Sequence, residues 1–212
     1  MDILKQISES LQQGNDQEVF DLTSQAIKQN ISPKHILDKG LIAGMDVIGE
    51  QFRKHEIFLP DVLLAAKAMY SGLDGLKPLL IKEGISSMGK IVVGTVHGDQ
   101  HDIGKNLVGI MLQGAGFEII DLGKDVPPER FVEAAQKQQA KIIGMSALLT
   151  TTMPVMKKVV DLLQKKGLNS SIKTIIGGAP VSEEFAREIG ADAYAYDAAK
   201  AVECVKILNK EA

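Results

Sequence analysis

Between Val96 and Asn106 the chain reads Val96-His97-Gly98-Asp99-Gln100-His101-Asp102-Ile103-Gly104-Lys105-Asn106, and two of its four histidines fall in this segment. Asp99 precedes His101 by two residues. In a loop, that spacing lets the carboxylate accept a hydrogen bond from one imidazole nitrogen and leaves the other free as a metal ligand. The negative charge makes the ring a better donor to a metal, and a nearby proton weakens it. Gly104-Lys105-Asn106 then lets the backbone approach a bulky ligand and begin a helix. Two other readings use the same residues. A solvated turn with an N-cap aspartate needs no ligand. A hydrolytic metal held by His97, Asp99, His101 and Asp102 is the other, because loops after strands often bring such groups to one ion. Against it, no third histidine with a matching carboxylate lies downstream, and Gly177-Gly178 would have no task.

The elements that must place this loop come in two kinds. Up to about residue 83 apolar residues recur every three or four positions, as in Ile3, Ile7, Leu11 and in Val62, Ala66, Met69, Leu73, Leu76, Leu80, which is a helical rhythm. Gly14-Asn15-Asp16, Ser32-Pro33 and Phe58-Leu59-Pro60 divide it into four segments, so a four-helix bundle is expected. Gly84, Ser86, Ser87 and Gly89 mark a linker, giving domains 1–88 and 89–212. Beyond the linker, short branched runs appear at residues 91–96, 117–122, 142–148 and 174–176, with a weaker one at 193–196, and amphipathic stretches separate or follow them. That alternation predicts an α/β domain: a flavodoxin-like (Rossmann-like) five-stranded parallel sheet, with ligands bound outside the carboxyl ends of its strands. The His101 loop follows strand one, Ser146-Ala147-Leu148 ends strand three and Gly177-Gly178-Ala179 ends strand four. Gly123 to Pro128 is expected to be a loop and a proline-started helix without chemistry. His35 and His55 read as surface residues of the helical half. A receiver-like signalling module on this fold needs an aspartate after strand three, where Ser146 and Leu148 stand.

Composition narrows the classes further. With 24 basic and 27 acidic residues the net charge is −3, which offers no footprint for nucleic acid or for an anionic bilayer. The single cysteine, Cys204, cannot form an intramolecular disulfide and suits a reducing cytoplasm. Asp2 and Glu9 interrupt the apolar start, so no secretion signal is expected there, and no apolar run reaches the roughly 18 residues of a membrane span.

Asp99-Gln100-His101-Asp102-Ile103-Gly104 resembles the Asp-x-His-x-x-Gly signature of cobalamin-binding domains that displace the cofactor's own base and put histidine on cobalt. The family's two further elements are matched in order by Ser146-Ala147-Leu148 and Gly177-Gly178-Ala179. The resemblance implies that His101 is the cobalt ligand and that Gly98, Asp99, Gln100, Asp102, Ile103, Gly104 and Leu148 lie against the cofactor. It places Ser146, Thr150, Gly177, Gly178 and Ala179 around the displaced nucleotide tail. Methionine synthase, a member of this family, has a serine hydroxyl supporting the aspartate, and the matching position here is Thr152. A relay from His101 through Asp99 to Thr152 follows, although Thr150 and Thr152 also read as a helix N-cap. The segment from Gly44-Met45 to Met69 resembles the family's cap, which would set Phe52, Leu59 and Val62 over the cobalt's upper face; helical spacing alone makes them bundle core.

A helical cap joined to a cobalamin domain, without a substrate barrel or DNA-binding helices, is similar to the small corrinoid proteins of methanol, methylamine, betaine and methoxyaromatic methyltransferase systems. The resemblance implies a carrier that accepts a methyl group on cobalt(I) from a substrate-specific methyltransferase. A second methyltransferase with a thiol or folate acceptor receives it, and a reductive activator rescues oxidised cobalt. A cap must move to admit both partners, and residues 84–89 are the expected hinge.

Overall fold

The computed structural model describes residues 2–83 and 87–211, excluding the side chain of Glu211. The chain divides into two compact units, the first drawn almost wholly from residues up to Ser87 and the second from Met88 onward.

Sequence cues for the helical unit become helix ends. Asp2 accepts the Leu4 N–H at 3.2 Å and starts α1 (Ile3–Gln12), whose Ile7 and Leu11 are fully buried. After Gly14 comes α2 (Asp16–Lys28). Ser32 caps α3 (Pro33–Ile36) by accepting from the His35 N–H at 3.3 Å, with Pro33 in the first turn. The chain then continues without a break through a π-helical segment (Leu37–Ile42) into α4 (Ala43–Arg53). The widened turn was not expected, because i+3 and i+4 spacing looks the same on either side of one inserted residue. α5 (Leu59–Lys82) opens with the Asp61 carboxylate accepting from the Phe58 N–H at 2.8 Å. It buries Val62, Ala66, Met69, Leu76 and Leu80, the expected stripe except for half-buried Leu73. Fully burying side chains the size of Val62 or Leu76 stabilises by about 1.5–3 kcal/mol each, so the stripe holds α5 in place despite its two prolines.

The second unit is a five-stranded, wholly parallel sheet of order β2-β1-β3-β4-β5. Its strands are β1 (Lys90–Thr95), β2 (Glu118–Asp121), β3 (Ile142–Ser146), β4 (Lys173–Gly177) and β5 (Ala193–Ala195). Helices α6 (Ile103–Gly114), α7 (Pro128–Gln138), α8 (Pro154–Lys165), α9 (Glu183–Ile189) and α10 (Ala198–Glu211) connect or follow them. This is the expected flavodoxin-like order, with the switch point between β1 and β3. Both central strands are nearly continuous apolar runs because helices cover both faces, and Val92, Phe131, Ile143, Val159 and Ile176 form one buried cluster. β3 ends two residues sooner than its apolar run suggested: the Leu148 N–H turns to the Asp99 carboxylate instead of a neighbouring strand.

Of the expected hinge, Gly84, Ile85 and Ser86 lie outside the described residues. Its other end is tied into the sheet unit, where the Met88 carbonyl accepts from Asn209 Nδ2 at 2.9 Å and the Gly89 carbonyl from the Glu118 N–H at 2.9 Å. No helix among the described residues is long and apolar enough to cross a membrane.

Candidate functional site

At the switch point one buried carboxylate joins the loops that leave β1 and β3. The Val96–Asp99 turn is closed by the Asp99 N–H donating to the Val96 carbonyl at 3.1 Å, and Gly98, with φ +84°, supplies the positive φ at its third position. The buried Thr95 hydroxyl donates to the His101 carbonyl at 2.9 Å and fixes the far end of the loop. Asp99 between them has no exposed surface. Its Oδ1 faces His101 Nδ1 at 2.7 Å and accepts the His101 N–H at 3.1 Å. Its Oδ2 accepts from the Leu148 N–H at 2.7 Å, the Leu149 N–H at 3.2 Å and the Thr152 hydroxyl at 2.9 Å.

Burial alone pushes the Asp99 carboxyl up. Hydrogen bonds from the Leu148 N–H, from the ring and N–H of His101 and from Thr152 outweigh it and hold the group well below the usual carboxylate range. Asp99 is therefore an anion at neutral pH. With Nδ1 donating to it, the imidazole keeps its Nε2 lone pair free on a side chain that is 51 % exposed.

This arrangement makes Asp99 a stability switch in acid. Its folded pKa lies below the unfolded one, so its contribution is complete above about pH 4 and is lost as the pH falls toward the folded value. Asp99→Asn sets an NH2 against backbone N–H donors on either side, His101 at Oδ1 or Leu148 and Leu149 at Oδ2, and an unmet donor of this kind costs about 1–3 kcal/mol. The variant should melt lower than the parent at neutral pH, with the gap closing in acid. Thermal unfolding from neutral pH to about pH 3 checks this, and a gap independent of pH would contradict it.

Other residues singled out in the sequence gather at the same edge. Ser146 ends β3 part-buried, with its carbonyl accepting the Val96 N–H at 3.0 Å. Gly177 ends β4, its carbonyl accepts the Ala147 N–H at 3.2 Å, and Gly178 follows with φ +131°. Gln100, Ala179 and Thr150 are exposed. The Asp102 carbonyl accepts the Asn106 N–H at 2.8 Å as α6 begins, and a Cβ on Gly104 would meet nothing within 4 Å. Neither threonine caps α8, which starts after Met153 without a side-chain cap; Thr152 turns to Asp99 instead. In the helical unit Val62 is fully buried, as bundle core would be, whereas Phe52 and Leu59 are partly exposed.

Sequence reasoning missed three contributors. The Leu149 N–H and the Thr95 hydroxyl act through backbone geometry that spacing does not reveal. Asp125, in a segment expected to carry no chemistry, accepts the Gly98 N–H at 2.7 Å and lies 2.7 Å from His97 Nδ1. The hydrolytic reading finds no support. His97 pairs with Asp125, the Asp99 oxygens are occupied by five donors, and among the described residues no cluster of three or more histidine, cysteine or acidic side chains could hold a metal. An imidazole aimed by a buried carboxylate, outside any cluster of three ligands, suits a metal that brings its other ligands in a macrocycle. Ile103, Leu148 and Leu149 are 74 %, 43 % and 41 % exposed at this edge, an apolar rim that fits a broad flat ring.

Comparison with known proteins agrees. B12 binding domain families match residues 89–205 and, separately, residues 3–77. The chain is 49 % identical over 182 residues to a dimethylamine corrinoid protein of Methanosarcina acetivorans, covering 85 % of each. It is 44 % identical over 214 residues to a corrinoid protein of Desulfitobacterium hafniense, covering 99 % of each. The methanol:cobalamin methyltransferase complex of Methanosarcina barkeri contains a chain 31 % identical to this one, with a TM-score of 0.87 over 99 % of this chain and 80 % of that one. The receiver-like alternative has no support beside these matches. From both halves, the chain belongs to the B12-binding corrinoid proteins of methyltransferase systems.

Proposed function

We propose that His101 would hold the corrinoid cobalt through Nε2, and that the chain carries methyl groups from a substrate-specific methyltransferase to a second one with a thiol or folate acceptor. The observation that carries this reading is the buried Asp99 carboxylate, held by donors from both loops and 2.7 Å from His101 Nδ1. When bound, the corrinoid supplies a cobalt centre that accepts and gives up a methyl group. The protein's part is orientation and charge. Asp99 fixes the imidazole tautomer and direction and makes Nε2 a stronger donor, and Thr152 with the Leu148 and Leu149 N–H groups fixes Asp99.

Gly98, Gln100, Asp102, Ile103, Gly104 and Leu148 are the residues we assign to contact with the cofactor's ring, and Ser146, Thr150, Gly177, Gly178 and Ala179 to its tail. Phe52 and Leu59 are assigned to shielding on the strength of the cap-like segment alone, whereas Val62, fully buried in the bundle, is placed behind them as support. A reductive activator is the third partner of this reading. Its donor is a methylamine or methanol, the substrates named for the similar proteins. The test reconstitutes the full chain with a corrinoid, reduces it, and supplies dimethylamine, trimethylamine or methanol, each with its own methyltransferase. One pairing should convert the visible spectrum to that of the methylated cofactor; no conversion with any pairing would contradict the proposal.

A further inference from the structure

The β2–α7 loop runs alongside the end of β1 and bonds to the turn that carries Asp99. Past the end of β2, the Thr95 N–H donates to the Gly123 carbonyl at 2.9 Å, the Val126 N–H to the Thr95 carbonyl at 2.9 Å, and Val96 bridges Val126 in parallel register. Asp125 stands between these contacts with φ +58°, a conformation that aspartate tolerates better than most side chains. It holds both ends of one dipeptide: Oδ1 accepts the Gly98 N–H at 2.7 Å, and its own N–H donates to the Asp99 carbonyl at 3.1 Å. The Gly98 N–H sits at the third position of the turn, where the closing bond leaves it unpaired. Asp125 supplies what the turn itself cannot.

We propose that Asp125 is a positioning residue for the metal ligand, setting the backbone from which Asp99 aims the His101 ring. This inference rests on His101 being the cobalt ligand. His97 contributes little beside it: its ring lies 2.7 Å from Asp125 Oδ1, but both side chains are largely exposed, and pairs of that kind are weak. The bond to the Gly98 N–H acts directly on the residue before Asp99, and it requires an acceptor at position 125 rather than a charge.

Three variants separate these roles in the full chain reconstituted with cobalamin. Asp125→Gly removes the acceptor and keeps the positive φ available, so a change cannot come from backbone strain. Asp125→Asn keeps an acceptor oxygen and suits the same φ. His97→Ala removes only the exposed contact. The readout is electron paramagnetic resonance of the cobalt(II) form with 15N-labelled histidine, which gives the ratio of histidine-bound to histidine-free cobalt among molecules that hold cofactor. A merely structural role would lower cofactor stoichiometry and leave that ratio alone.

Asp125→Gly should lower the ratio about 10-fold, the lower end for residues that orient a metal ligand. Asp125→Asn and His97→Ala should stay within about twofold of the parent. An unchanged ratio in Asp125→Gly, or an equal fall in Asp125→Asn, would overturn the proposal. If the parent itself shows no coupling from protein nitrogen, the assignment of His101 fails instead, so the two failures are distinguishable.

Discussion

His101→Ala is expected to abolish the histidine-coordinated spectrum of the reconstituted protein while leaving a folded chain. His97, the other histidine of this loop, leans on the exposed Asp125 and lacks the buried carboxylate that aims His101. The fold should survive because the substitution deletes only one of the donors on Asp99: the backbone N–H of residue 101 still reaches Oδ1, and three donors still hold Oδ2. Losing the ring leaves part of a buried acceptor unmet, which costs about 1–3 kcal/mol. That is small beside the expected loss of the donor proposed for the metal. Visible spectra and thermal unfolding of the same samples check both halves. A parent-like spectrum would remove His101 from the site, and a collapsed fold would show that the ring is structural first.

Gly178→Ala should be the most damaging small change to the fold of the sheet unit. A Cβ there would stand 1.8 Å from the Ala147 carbonyl oxygen and 2.9 Å from its carbon, and φ is +131°. Both obstacles are backbone, so no side-chain rotation relieves them. The ends of β3 and β4 would have to part at the Ala147 N–H bond to the Gly177 carbonyl, and the displaced segment is the one that delivers the Leu148 and Leu149 N–H groups to Asp99. Strain in this region of φ alone costs about 1–3 kcal/mol, and the forced separation adds to it. For a chain of this length each kcal/mol lowers Tm by about 2–4 °C, so strain alone corresponds to a fall of about 2–12 °C and the separation enlarges it, all without cofactor. Gly104→Ala is the contrast, because its Cβ meets nothing within 4 Å. It should leave that Tm within about 2 °C. Equal melting of the two variants would contradict the assignment of Gly178 to a close backbone contact.

Much of this was legible in the sequence, for identifiable reasons. Branched runs alternating with amphipathic stretches leave few topologies besides a covered parallel sheet, so the strand order followed without any contact being known. Ser32-Pro33 marks a helix start through a local bond that spacing exposes. The Asp99–His101 pairing is likewise local, two residues apart. Contacts between distant segments were harder. Thr152 was identified through similarity to a known relay, because nothing in a threonine run tells which hydroxyl reaches back 53 residues to Asp99. Asp125 reads as an ordinary turn aspartate until its carboxylate is seen on the Gly98 N–H. Lys105 looked like a polar residue opening a helix, yet its ammonium is buried between Asn106 and Asp121. In the helical unit, a π-helical segment leaves the apolar spacing on either side unchanged and so leaves no trace in a periodicity.

The decisive measurement is electron paramagnetic resonance of the cobalt(II) form of the full chain, reconstituted with cobalamin and carrying 15N-labelled histidine. Asp99 holds His101 Nδ1 at 2.7 Å and leaves Nε2 free to serve as a donor at this strand edge. The expected spectrum shows hyperfine splitting from one protein nitrogen that changes with the isotope and disappears in His101→Ala. Splitting that ignores the label, as from the cofactor's own base, would contradict it.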